Sequence, residues 1–474
     1  MLRPWKLQLN LELDNKEVPM YQQLADKVQK LIETGTLKTG DALPGSREMS
    51  EQLHVSRKTV VSAMELLVFS GWLENRERVG LFVRERPIQQ SSHRLQSSSA
   101  RMVEPPMQEA VTKEPTVRLT INDGYPDTQL VPFEELSRAY RQLFNRAARW
   151  KMLGYGDARG NLKFRTSVAQ EVRHERGLNI QPEEVMVTRG SQQALYLVAH
   201  ALYRPGDAVA MEYPTYQNAR LAVESAGLEV VPVPVDDEGI DTEVLAEVLI
   251  QHPNIRALYV TPRYQYPTTV TMSPSRRRRL AELVIEHGVM VLEDDFGCHF
   301  QFTVQHVMPL SVLLPKTHYI YIGTFSKLLA PALRMGFIAS SQEVVDRVAA
   351  YRKIVDIQGD GIMERAILEL TESGEIKRHL RKACRVYRER LDYISHRIQH
   401  ELKDKVEFRK PRGGMALWIT TGHNPEQALL ERGIASTWVP MPGGRWGLRV
   451  GYASMQQEEV DMLVAALKEI LFRE

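Results

Sequence analysis

The sequence predicts an α/β main domain with a mostly parallel sheet, preceded by a small helix-turn-helix domain that ends in two short strands. Three observations carry this expectation. After about residue 118, short apolar runs rich in β-branched residues alternate with helical segments, the pattern of strands joined by crossover helices. Before residue 86, two short helices are separated by a tight connection. Between the two regions, PIQQSSHRLQSSSARMVEPPMQEAVTKEPTV is rich in Ser, Gln and Pro and has no sustained apolar period, so it reads as a linker. A flexible tether of about 30 residues spans tens of ångströms. The expected organisation is therefore 1–86, linker 87–118, and 119–474.

The N-terminal elements follow in order. Leu24, Val28, Leu31 and Ile32 recur at helical spacing from Met20, and Gly35 ends the run. Ser46 is the expected N-cap of a short helix through Leu53. His54-Val55 then connects to a second helix capped by Ser56 and carrying Arg57, Lys58 and Thr59 at its start. Polar residues at that end are where a recognition helix meets phosphates and base edges. Trp72-Leu73-Glu74 and Gly80-Leu81-Phe82-Val83 read as strands around a basic turn that includes Arg78. A small helical bundle with a solvated charged end fits the same periodicity.

Composition bounds the rest. The chain has 474 residues, 43% hydrophobic and 25% charged, enough for two or three domains. A net charge of +2 offers no general basic coat, so any nucleic-acid surface must be local. The N-terminus lacks the apolar core of a signal peptide and no apolar run is long enough to cross a bilayer, so a cytoplasmic protein with no membrane partner is expected. The two cysteines, Cys298 and Cys384, lack Cys-x-x-Cys spacing and support neither a disulfide framework nor a metal site.

In the main domain the best strand candidates are 185–188, 208–211, 257–260, 289–292 and 319–322. Ligands of such sheets bind beyond the carboxyl ends of the strands. Gly190-Ser191-Gln192 follows the first run and opens a helix, where backbone N–H groups receive a phosphate. Tyr216 follows the second and offers a stacking ring. Asp294 ends the fourth, and a buried acid there needs a cation or hydrogen-bond donors. Lys327 follows the fifth in a turn with Thr324, Ser326 and Arg334, a place suited to a Schiff-base lysine beside a phosphate cup. Arg449 lies inside an apolar strand and wants a carboxylate, either a ligand's or a structural one.

The string Gly40-Asp41-Ala42-Leu43-Pro44-Gly45-Ser46-Arg47, followed by Val55-Ser56-Arg57-Lys58-Thr59-Val60, resembles the winged-helix domain of the GntR superfamily over about residues 18–86. The resemblance implies that Arg47, Arg57 and Thr59 face a double-stranded DNA operator. Residues 119–474 resemble the type I fold of the aspartate aminotransferase superfamily. That implies pyridoxal 5′-phosphate on Lys327 as an aldimine, Asp294 on its pyridine nitrogen, Tyr216 stacked on its ring, and Tyr266 close by. It also implies Thr324, Ser326, Arg334 and the Gly190-Ser191-Gln192 turn at the phosphate, and Arg449 on an effector carboxylate. Leu153-Gly154-Tyr155-Gly156 matches a stretch whose tyrosine, here Tyr155, reaches the neighbouring subunit's phosphate in a homodimer, domain-swapped or not.

The order of the two domains looks like the MocR-type regulators, which implies a transcription regulator sensing an amino acid, amine or vitamin B6 metabolite. A catalytically active aminotransferase with an appended DNA-binding domain is the alternative. Two departures favour sensing, with at most weak transaminase turnover. Phe296 stands where the family has a tyrosine, and Tyr266 stands where true aminotransferases have an asparagine. Both changes touch the cofactor's phenolic oxygen, and Tyr264 or Tyr266 would have to compensate.

Overall fold

The structure, a computed structural model, describes residues 18–76, 79–84, 117–145, 149–303 and 307–472. The chain divides into two compact units, residues 1–110 and 111–474. Arg78 and nearly all of the expected linker lie outside the described residues.

In the first unit, helices α1 (Met20–Glu33), α2 (Ser46–Leu53) and α3 (Arg57–Phe69) precede a hairpin of β1 (Leu73–Arg76) and β2 (Gly80–Val83). Leu24, Val28, Met49, Val60, Ala63 and Leu67 form its core, as the helical spacing requires. Ser56 caps α3, its Oγ accepting from Thr59 N at 3.1 Å. Ser46 differs from expectation. Gly45, extended at φ −62°, is the N-cap of α2, and Ser46 is its first helical residue. The Ser46 hydroxyl is used elsewhere, accepting from Arg57 Nε at 3.2 Å.

The second unit begins with β3 (Leu119–Thr120). Its main sheet is built from β4 (Val185–Thr188), β5 (Ala208–Tyr213), β6 (Glu229–Asp236), β7 (Gly239–Ile240), β8 (Ile255–Val260), β9 (Met290–Asp294), β10 (Tyr319–Thr324) and β11 (Gly336–Ala339). The order is β4-β11-β10-β9-β8-β5-β6-β7, with β6, β5, β8, β9 and β10 mutually parallel and β11 and β7 antiparallel to their neighbours. Both faces are covered. Val185, Val187, Leu258, Val291 and Tyr321 pack into one core layer and Met186, Val209, Met211, Tyr259, Leu292 and Ile320 into another, which is why these strands read as continuous apolar runs. The remaining strands are β12 (Glu407–Phe408), β13 (Leu417–Thr421), β14 (Ile434–Ala435), β15 (Trp438–Met441) and β16 (Arg445–Val450). A smaller antiparallel sheet, β12-β13-β16-β15, has its own core with Leu417, Ile419, Leu448 and Val450. β14 pairs with β3, tying the start of this unit to its end.

All five sequence-predicted strands are present, two beginning one or two residues away from the expected start. β6, β7 and β11 were not expected. β6 and β7 carry Pro, Gly and Asp, which read as turn, and β11 is only four residues long.

Candidate cofactor and effector site

Sheet register assembles the site. Ile322 of β10 lies beside Asp294 of β9, so the acid ending one strand and the Thr324 to Lys327 turn ending the next emerge together. Thr188 of β4 pairs with Gly336, and Gly336 pairs with Thr324, so the ends of three strands form one row. The inserted β11 makes that row possible, and Gly336 permits its closeness. A Cβ there would lie 2.8 Å from Gly323 O and 2.9 Å from Gly190 Cα.

At this row the helix Gly190–Leu202 begins. Gly190 holds φ +79°, and a Cβ on it would come within 3.1 Å of Arg334 Nη2. Arg334, itself left-handed at φ 46°, donates to Arg189 O at 3.0 Å. Thr324 Oγ1 accepts from Ser326 N at 3.1 Å and donates to Met335 O at 3.3 Å. Two further oxygens here are buried without a partner among the described residues, Ser326 Oγ and Gln192 Oε1, although Gln192 Nε2 donates to Asn218 O at 2.8 Å. Ser191 is half-buried at the same helix start. A helix N-terminus, a guanidinium and the unsatisfied Ser326 hydroxyl make a cup suited to a phosphate.

Asp294 is buried and held on one side only. Tyr259 Oη donates to its Oδ2 at 3.3 Å, while Oδ1 has no partner among the described residues. Burial pushes its carboxyl up to about 7, against the pull of Tyr259 and the Lys327 ammonium. Its neighbour Asp295 is fully engaged by Arg263, at 2.7 and 2.9 Å, and by Tyr321 Oη at 2.8 Å. A cation arriving at Asp294 Oδ1 would satisfy the orphan oxygen and restore the carboxylate, as a protonated pyridine nitrogen would.

Lys327 Nζ donates to Gly124 O at 3.0 Å and lies 4.9 Å from the centre of the Tyr125 ring. Burial lowers its ammonium below the ordinary lysine range. Asp123 pulls the other way, Arg449 adds to the lowering, and Asp294 opposes it. A lysine made easier to deprotonate is a better nucleophile toward an aldehyde.

Above this floor, the Tyr216 and Tyr266 rings meet edge to face at 5.1 Å, and Tyr266 faces Phe296 at 6.5 Å. Tyr266 Oη donates to Asp123 Oδ2 at 3.0 Å, and Tyr264 Oη turns away to Phe300 O at 3.1 Å. In this structure each hydroxyl already has an acceptor. Arg449 is buried, with Nε on Asp123 O at 2.7 Å and Nη1 on Pro267 O at 2.8 Å, and its guanidinium lies 4.9 Å from the Tyr266 ring centre. Among the described residues it makes no salt bridge. Of the two options open for this arginine, a structural ion pair is absent among those residues.

The segment 122–125 was missed from sequence. It follows no predicted strand, and its only local signal is Gly124, at φ +107° and closely packed on Ala416. Asn122 anchors it: Oδ1 accepts from Gly124 N and Tyr125 N at 2.9 and 2.8 Å, Nδ2 donates to Ser454 Oγ at 3.0 Å, and Asn122 O accepts from Gly451 N at 2.8 Å. Tyr155 is 86% exposed and stands outside the pocket of its own chain. In the first unit Arg47, Ser56, Arg57 and Lys58 are exposed and Thr59 is half-buried, all near the start of α2 or α3.

Residues 114–467 match the family described as aminotransferase class I and II, and residues 20–83 match bacterial regulatory proteins of the gntR family. The probable rhizopine catabolism regulatory protein MocR of Rhizobium meliloti is 30% identical over 85% of this chain and 81% of its own length. The HTH-type pyridoxine biosynthesis transcriptional regulator PdxR of Corynebacterium glutamicum is 28% identical over 83% and 81%. Among solved structures, LysN, the α-aminoadipate aminotransferase of Thermus thermophilus complexed with N-(5′-phosphopyridoxyl)-L-leucine, is 30% identical. It superposes with a TM-score of 0.67 over 74% of this chain and 92% of that one.

Proposed function

The chain belongs to the aminotransferase class I and II family and carries a gntR-family domain ahead of it, in the manner of the MocR-type regulators; from that premise we propose that the large unit senses a small amine bearing a carboxylate and that the winged helix conveys the result to double-stranded DNA. Pyridoxal phosphate is the cofactor, supplying an aldehyde carbon that amines attack and a ring that withdraws electrons. The chain's own residues do the rest. Lys327 provides the amine that holds the cofactor, Asp294 the anion for its ring nitrogen, and Thr324, Ser326, Arg334 and the Gly190-Ser191-Gln192 turn the donors for its phosphate. Tyr216 supplies an aromatic wall and Tyr266 the lid over Asp123.

The observation that carries the effector reading is Arg449, buried, charged and, among the described residues, bonded only to two carbonyl oxygens. Its Nη2 makes no hydrogen bond among the described residues and is left for a carboxylate, and the Tyr266 ring centre lies 4.9 Å from the guanidinium. The Tyr264 and Tyr266 hydroxyls bond to Phe300 O and Asp123, and Phe296 has none, which favours holding over fast turnover. The alternative, a working aminotransferase, is supported by relatives such as the 2-aminoadipate transaminase of Thermus thermophilus, 30% identical over 74% of this chain.

A homodimer fits the surface of the large unit. Leu153 and Tyr155 are exposed beside a Gly156 N–H that donates to the Gln358 side chain, and Ile354 and Ile357 are exposed on that adjoining segment. Such an apolar face is suited to a second copy, whose Tyr155 would reach this cup.

The test is spectral. Purified protein loaded with pyridoxal phosphate is titrated with amines and amino acids while operator binding is followed. Spectral change coupled to a change in DNA affinity supports sensing. Steady amino transfer to an oxo acid at ordinary enzyme rates, with DNA affinity unmoved, supports the alternative.

A further inference from the structure

Four residues past Asp294 the chain builds a second group of reactive side chains. Cys298 Sγ lies 3.1 Å from Arg176 Nη2 and 3.2 Å from His299 Nδ1. The other ring nitrogen, His299 Nε2, is 3.0 Å from Glu171 Oε1, and Arg176 Nη2 is 3.4 Å from the same oxygen. A sulfur, an imidazole and a carboxylate in line, with a guanidinium on the sulfur, is the arrangement that holds a cysteine as its thiolate. Burial alone would favour the neutral thiol. Arg176 and then His299 outweigh it and bring the thiol below its ordinary value, with Asp295 opposing. His299 is correspondingly pushed up to about 9.

The second cysteine provides a built-in comparison. Cys384 Sγ sits 3.7 Å from His299 O, and burial, against the pull of Arg388, pushes its thiol up to about 11. One residue, His299, thus touches both a sulfur whose thiol is lowered and one whose thiol is raised. The charged groups facing Cys298 are Arg176, His299 and Asp295, with Glu171 behind the imidazole and Arg263 and Tyr321 behind Asp295.

We propose that Cys298 is a peroxide-oxidisable modification site, with His299 as the proton donor to the leaving oxygen. The thiolate sulfur attacks one oxygen of hydrogen peroxide and the O–O bond breaks. The sulfur becomes a sulfenic acid, and the departing hydroxide takes the proton of the His299 imidazolium to leave as water. Sulfur is oxidised by two electrons and peroxide is reduced by two. Cys298 is only 4% exposed, which shields it from bulky reagents. Peroxide is close to water in size, and the Glu171 end of the line is exposed at 27%.

The full-length protein tests this with hydrogen peroxide as the only oxidant. Ultraviolet absorbance in the thiolate band, taken as wild type minus Cys298→Ser, reads the thiolate directly and should be present at neutral pH. After peroxide treatment of the folded protein and removal of the peroxide with catalase, unfolding in dimedone followed by peptide mass spectrometry should find label on Cys298 at least about tenfold more than on Cys384. His299→Gln should slow labelling of Cys298 about tenfold in protein whose circular dichroism is unchanged, and Cys384→Ser should leave it as it was. The proposal is overturned if the thiolate difference is missing at neutral pH, if Cys384 is labelled more, or if Cys298 reacts with peroxide only in denaturant.

Discussion

Tyr259 Oη holds one oxygen of Asp294 at 3.3 Å, and the other oxygen of that buried carboxyl has no partner among the described residues. A half-satisfied acid with its proton affinity raised to about 7 is costly in the free protein and becomes useful when a cation meets it. Asp294→Asn keeps the Tyr259 bond and removes the charge. Retention of pyridoxal phosphate through dialysis, read from visible absorbance, should fall at least about tenfold. Lys327→Ala should abolish the covalently held absorbance altogether.

Arg449 is expected to separate effector recognition from cofactor binding. Arg449→Ala should leave the absorbance of the loaded protein in place and remove the spectral response to carboxylate-bearing amines, a loss of about 2–4 kcal/mol in effector binding. A full response in the variant would mean that the effector carries no carboxylate or binds elsewhere.

Arg57 donates to Ser46 from the exposed start of α3, so its loss leaves the core of the first unit intact. Arg57→Ala should weaken operator binding about tenfold, lower the slope of affinity against salt by about one if the contact is to phosphate, and leave cofactor loading unchanged. Electrophoretic shifts at several salt concentrations measure the first two.

Glu212, toward the end of β5, accepts from Thr261 N and Oγ1 at 3.1 and 2.7 Å through Oε2, while Oε1 is buried without a partner. Burial pushes its carboxyl up from 4.5 to about 7. Because the folded value is the higher one, the folded state binds the extra proton, and this contribution is full below about pH 4.5 and is lost as pH rises through about 7. Glu212→Gln should therefore gain on wild type by about 1–3 kcal/mol as pH rises from about 5 to 8, read as the difference in melting temperature at each pH.

The candidate site was legible in sequence because a parallel sheet places ligands beyond its strand ends, so Thr324, Lys327, Asp294 and Gly190 each drew attention by ending or following an apolar run. Ser56 was legible because an N-cap is a local hydrogen bond reaching three residues along the chain. Ser46 was misread by one position, since Gly45 and Ser46 both suit a helix start and only the backbone angle separates them.

The sequence by itself determined the α/β and helix-turn-helix architecture, the family and the residues at the strand ends, since these depend on periodicity and neighbours a few residues away. Tertiary structure alone decided that β11 enters antiparallel between β4 and β10, that Asp123 meets Tyr266 across 143 residues, and that Arg176 meets Cys298 across 122. Strand order is not chain order, and a polar side chain takes whichever partner the closed core brings to it, so no local pattern in the sequence encodes those pairs.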